Sequence, residues 1–161
     1  MIEDQRFTAD RADVVTYLAE PLAEDTSFVG DISVKLDVAI TTTDADFVVR
    51  IIDLFPDDDA QKPQYQILVR GDIMRARYRN SFSTPSPMIP DRATEVAFTL
   101  PGIAHTFKEN HRIMVCVQSS WYPLAERSPQ QFVELWHCSA ADFIATDVQI
   151  FNTSSITLGQ L

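Results

Sequence analysis

The chain has 161 residues, 45% hydrophobic and 22% charged, and reads as one ordinary globular domain covering residues 1–161. A formal net charge of −10 repels phosphate backbones and anionic lipid, since non-specific contacts to either must come from Lys or Arg. Nucleic acid and membrane are therefore excluded as partners, and no run of about 18 apolar residues is available to span a bilayer.

In chain order, Asp4 to Asp13 is polar, with Phe7 as its one large anchor, and Val14 to Leu18 reads as a short strand closed by Pro21. From Asp31 to Thr41 the alternation is nearly ideal: Ile32, Val34, Leu36, Val38 and Ile40 share one face, and Ser33, Lys35, Asp37 and Thr41 the other. Thr42 to Asp46 predicts a turn. Phe47 to Phe55 is apolar on both faces, which predicts a strand covered on both sides. Pro56 to Pro63 is a polar hairpin loop, and the next strand runs on to Arg79, with Gly71 as the expected bulge or bend. Ser83 to Pro90 is proline-rich and extended, and Glu95 to Leu100 is a short strand closed by Pro101-Gly102.

Arg112 to Ser119 alternates again, with Ile113, Val115 and Val117 on one side and Met114, Cys116 and Gln118 on the other. Pro123 lacks a backbone donor and ends this pairing, so Trp121 and Tyr122 fall in a loop at a sheet edge. Phe132 to Cys138 is aromatic and partly buried. Ser139 to Asp142 predicts one capped helical turn. Thr146 to Asn152 and Ser155 to Leu158 predict closing strands. About eight strands with almost no helical period give an all-β, two-sheet antiparallel sandwich.

The chemistry of the side chains points to no reaction. The nucleophile elbow GxSxG is missing, no glycine flanks Ser119 or Ser120, and Cys116 sits mid-strand as a packing residue. His105, His111 and His137 lack the short paired spacings of a zinc site and read as hydrogen-bonded turn residues. A calcium loop starting at Asp57 would need Gly at Lys62 and Glu at Leu68, so Asp57-Asp58-Asp59 is a solvated loop. Arg75, Arg77 and Arg79 alternate and would share one strand face, pairing with carboxylates of a neighbouring strand or domain. No catalytic, metal or cofactor-binding residue is assigned. Whether Cys116 and Cys138 pair stays open. Trp121, Tyr122 and Trp136 fit either an apolar patch that docks another domain or a platform that stacks sugars.

Four stretches occur in order: DQRF at Asp4 to Phe7, DADFVVRIIDLFPDD at Asp44 to Asp58, GDIMRARYRNSF at Gly71 to Phe82, and HTFKENHRIMVCVQSSWYPLAERSPQ at His105 to Gln130. Together they resemble the C-terminal jelly-roll domain of the X-Pro dipeptidyl-peptidase and cocaine esterase family of serine hydrolases, closest to its α-amino acid ester hydrolase and glutaryl-cephalosporanic acid acylase branch. The resemblance implies a galactose-binding-domain-like jelly roll without its first strands, inactive alone, with the Ser-Asp-His triad in a separate α/β-hydrolase domain. It implies no cofactor, an α/β-hydrolase domain as partner, and oligomer contacts. Trp121, Tyr122 and Arg127 are the residues expected to form the docking loop, held by the strand Arg112 to Ser119. The compartment is not set by the sequence.

Overall fold

The alternation from Ile32 to Ile40 fixes the inner face of the longest strand, and the rest of the molecule packs on it. The computed structural model describes residues 4–8 and 11–160. Its strands are β1 (Val14–Leu18), β2 (Thr26–Ile40), β3 (Asp46–Leu54), β4 (Gln66–Arg75), β5 (Thr94–Phe107), β6 (Arg112–Gln118), β7 (Val148–Ile150) and β8 (Ser155–Gln160). The first sheet has the order β1-β6-β3-β4. In the second, β2 pairs with β5 on one edge and with β8 and β7, end to end, on the other. Every pairing is antiparallel. The chain is thus an all-β sandwich of two antiparallel sheets, as the alternation requires.

Between the sheets lie Ile32, Val34, Leu36, Val38 and Ile40 of β2, Phe47, Val49 and Ile51 of β3, and Val117 of β6. Each such side chain contributes about 1.5–3 kcal/mol as an upper limit. β3 is buried along nearly its whole length because its other face is covered too: Ile52 packs with Met114 and Cys116 on the outside of the first sheet. The two-sided apolar pattern of Phe47 to Phe55 had this cause.

Several expectations are corrected. β5 does not stop at Pro101-Gly102 but continues to Phe107. It is an edge strand, and the register shift between Gly30 and Ile32 leaves Pro101 in a bulge where no ladder donor is needed. Gly30 takes φ +113° there, a conformation that side chains disfavour. Gly71 is not the bulge of β4; the register shifts two residues earlier, where Ile51 and Ile52 face Arg70 and Leu68 and Val69 is the extra residue. β4 ends at Arg75 and a 3-10 turn, Ala76–Tyr78, follows, so Arg75, Arg77 and Arg79 do not share a strand face. The helical turn at Ala140–Asp142 is a 3-10 turn, with the expected capping box from Ser139. Cys116 and Cys138 are both free thiols. Asp57 and Asp59 close their own hairpin, accepting from Gln64 Nε2 at 3.0 Å and from the Gln61 and Lys62 amides at 3.0 and 2.7 Å.

Candidate functional site

The outer face of the first sheet carries a buried polar network that holds one projecting loop, residues 119–133. Its centre is Arg50, which is 0% exposed although charged. The guanidinium donates to Gln5 Oε1 at 2.7 Å and to Thr8 Oγ1 at 3.1 Å, both from the 3-10 turn Gln5–Thr8 laid across the sheet. Burial lowers its pKa from the usual arginine value, yet a guanidinium stays protonated at any working pH. Beside it, the Trp121 ring occupies the space that a side chain at Gly71 would fill: a Cβ there would lie 2.7 Å from Cη2. Gly71 is required for close approach, not for a bend.

The base of the loop is held by two acid–arginine pairs at the start of β3. Asp44, buried, accepts from the Arg77 amide at 3.0 Å and from Arg77 Nε at 2.6 Å. Arg77 in turn donates to the carbonyls of Val133 (2.9 Å) and Gln131 (3.3 Å) and stacks on Phe132 at 5.0 Å. Arg75 lies 3.8 Å from the buried Asp46 and donates to the Glu126 carbonyl at 3.3 Å. Arg79 instead caps the carbonyls of Ala76, Ser86 and Pro87. Desolvation pushes Asp46 up to about 7, with Asp44 adding to the rise and Arg75 and Arg77 opposing it. Asp44 is also raised by burial, against its bonds to Arg77.

A second cluster ties the sheets together at the far end of β3. Asp53, buried, accepts from His111 Nδ1 at 2.7 Å and from His105 Nε2 at 2.9 Å, the donor nitrogens being those the geometry assigns. His105 belongs to β5 of the second sheet and His111 to the turn before β6, so one carboxylate bridges both layers. Phe107 packs edge-on against His105, and Phe55 lies tilted against His111 with ring centroids 4.4 Å apart.

The residues expected in the docking loop separate into two roles. Trp121 is half-buried and anchors the loop on Gly71. Tyr122 is 70% exposed, Leu124 beside it is also exposed, and Arg127 is exposed with its guanidinium 5.7 Å from the Phe143 ring. Trp136, 86% exposed, sits apart from the loop on the 3-10 turn Leu135–His137. Among the described residues no histidine hydrogen-bonds a serine, and no group of three His, Cys, Asp or Glu side chains is gathered around a metal position. The polar side chains hold backbone and one another. Residue reading alone missed this network. The signal was present in Arg50 and Asp53, charges set inside an apolar strand, because such charges persist only when hydrogen-bonded.

The sequence pattern of the X-Pro dipeptidyl-peptidase C-terminal non-catalytic domain matches residues 2–134. The chain belongs to this family. The matched region contains the residues that build the network: Gln5 on Arg50, Asp44 and Asp46 with Arg77 and Arg75, Gly71 under Trp121, and the two histidines on Asp53. A crystal structure of an aminopeptidase from the marine sediment archaeon Thaumarchaeota archaeon superimposes with a TM-score of 0.95 at 37% identity, over 99% of this chain and 28% of that one. An α-amino acid ester hydrolase structure matches with a TM-score of 0.95 at 36% identity, over 99% of this chain and 27% of that one. Cocaine esterase of Rhodococcus sp. (strain MB1 Bresler) is 34% identical over 125 residues, 78% of this chain and 21% of the esterase. This X-Pro dipeptidyl-peptidase C-terminal domain therefore spans only about a quarter of the length of its relatives and corresponds to one domain of a larger protein.

Proposed function

We propose that this sandwich packs on the α/β-hydrolase domain of a serine hydrolase that cleaves esters or amides, walls part of the active-site mouth and takes part in oligomer contacts. The observation that carries the reading is the construction of the loop at residues 119–133. Trp121, Arg75 and Arg77 fix its base, while Tyr122, Leu124 and Arg127 face outward. A loop held at its base loses little entropy on docking, and tyrosine and arginine are among the residue types that dominate binding at interface centres. In the full-length enzyme, Tyr122→Ala and Arg127→Ala are expected to weaken contact between the domains, seen as loss of activity at lower temperature with unchanged fold of the isolated sandwich. Ester hydrolysis by the isolated chain, abolished by a reagent for active-site serines, would overturn the non-catalytic role.

A second reading, glycan binding, is favoured by the exposure of Tyr122 and Trp136, although Trp121 is committed to packing. A glycan array on the isolated chain decides it: binding lost in Trp136→Ala supports it, and an empty array removes it.

A further inference from the structure

The loop at residues 119–133 is held by its carbonyls, and each hold leads back to the start of β3. Gln118 Nε2 donates to the Ser120 carbonyl, Arg75 to that of Glu126, and Arg77 to those of Gln131 and Val133. Arg75 sits opposite Asp46 in the ladder of β3 and β4. Gln118 sits opposite Val48, the next residue of β3 on the face of Asp46. Asp44, two residues before Asp46, holds Arg77.

The two acid–arginine pairs are not alike. Arg77 Nε lies 2.6 Å from Asp44, the length of a charge-assisted bond, whereas Arg75 Nε stays 3.8 Å from Asp46, too far for one. Asp46 Oδ1 is buried without a hydrogen-bond partner, and so is Gln118 Oε1 on the same face. An ionised carboxylate only accepts, so it would leave both oxygens bare, which protein interiors rarely tolerate. A carboxyl that keeps its proton has a donor to offer. This is the geometry of a neutral Asp46 beside an ionised Asp44. Desolvation holds Asp46 up to about 7, with Arg75 and Arg77 opposing and Asp44 adding to the rise. Asp13 and Asp147 line one cavity of about 400 Å³ with it, and Asp13 is already bonded to Arg11.

We propose that Asp46 is a proton-controlled catch for the loop. Protonated, it leaves Arg75 to the Glu126 carbonyl. Ionised, with its proton lost to water, it draws Arg75 into a direct bond and releases that carbonyl. Trp121 and Arg77 keep their holds on either side, so the release is confined to the stretch between them, which carries Tyr122, Leu124 and Arg127. The consequence, weaker docking as pH rises through about 7, rests on the reading of this loop given above. The coupling itself belongs to this chain alone.

Heteronuclear NMR of the chain from about pH 5 to about pH 9 tests it. The amide signals of Glu126 and Arg127 are expected to titrate with one midpoint at about 7. The Ala125 amide, bonded to the Trp121 carbonyl at 3.0 Å, should exchange about ten-fold faster at the alkaline end once the intrinsic pH dependence is removed. In Asp46→Asn, whose side-chain amide is a permanent donor, both readouts should stay flat. In Arg75→Gln the Asp46 carboxyl carbon should still titrate while the loop signals no longer follow it. Loop signals that ignore pH in the wild type, or that follow it equally in Asp46→Asn or Arg75→Gln, overturn the proposal. A flat titration together with a docking defect in Tyr122→Ala strikes the catch and leaves the docking loop; a titrating loop without that defect does the reverse.

Discussion

The two long sides of the sandwich are closed by different means. On the β4 and β5 side the layers touch directly: Arg70 reaches across to Gly102, and Asp53 of the first sheet bonds His105 of the second. On the β1 side the layers stand apart, and apolar residues of both sheets line a groove. Side chains with the same inward direction are therefore core on one side and surface on the other. Position in the strand order, more than hydrophobicity, decides what a residue contributes to stability.

The sharpest way to break this comparison places the same charge on each side of the boundary. Leu36→Asp buries an unpaired carboxylate and is expected to cost about 4 kcal/mol or more, enough to unfold the isolated domain, whereas Tyr17→Asp should stay within about 0.5 kcal/mol. Circular-dichroism melts of the two variants check this, and a Leu36→Asp protein that melts like wild type would contradict the register of β2. Truncation comes next: Phe107→Ala on the closed side is expected to cost about 3–5 kcal/mol in urea unfolding.

Asp46 tests the polar network on the outer face. Its folded pKa of about 7 lies above the unfolded 3.8, so between those values the folded chain keeps a proton that the unfolded chain releases. Stability should therefore fall as pH rises from about 4 to about 7 and level off above, by an amount on the order of a few kcal/mol. Asp46→Asn should remove that slope and be the more stable protein at pH 8. A smaller loss is expected of Gly71→Ala, about 1–3 kcal/mol from crowding Trp121 and Arg50. Tryptophan fluorescence should shift to the red as the ring leaves its seat.

Much of the fold was legible because it rests on local alternation. β2, β3 and β6 show their faces within a few residues, and Ile32 to Ile40 point inward as the pattern requires. The continuation of β5 through Pro101 was not legible, since it depends on an edge position that only the assembled sheet defines. The roles of Arg50, Asp53 and Gly71 were hidden for a related reason. Gln5 is 45 residues from Arg50, and His105 is 52 from Asp53, so no local pattern connects them. The seat of Trp121 was hidden as well, because a loop tryptophan after a strand has no visible partner until Gly71 is placed beneath it.

The two sides of the sandwich are unequal, and β1 and β4, opposite edges of one sheet, offer the most direct comparison. Residue-level hydrogen exchange of the isolated chain reads both at once. β4, half-buried and backed by β5, should exchange about ten-fold or more slowly than β1, whose inner face is open. Equal protection of the two edges would mean that the β1 side is already closed, and the contrast drawn between the sides would be wrong.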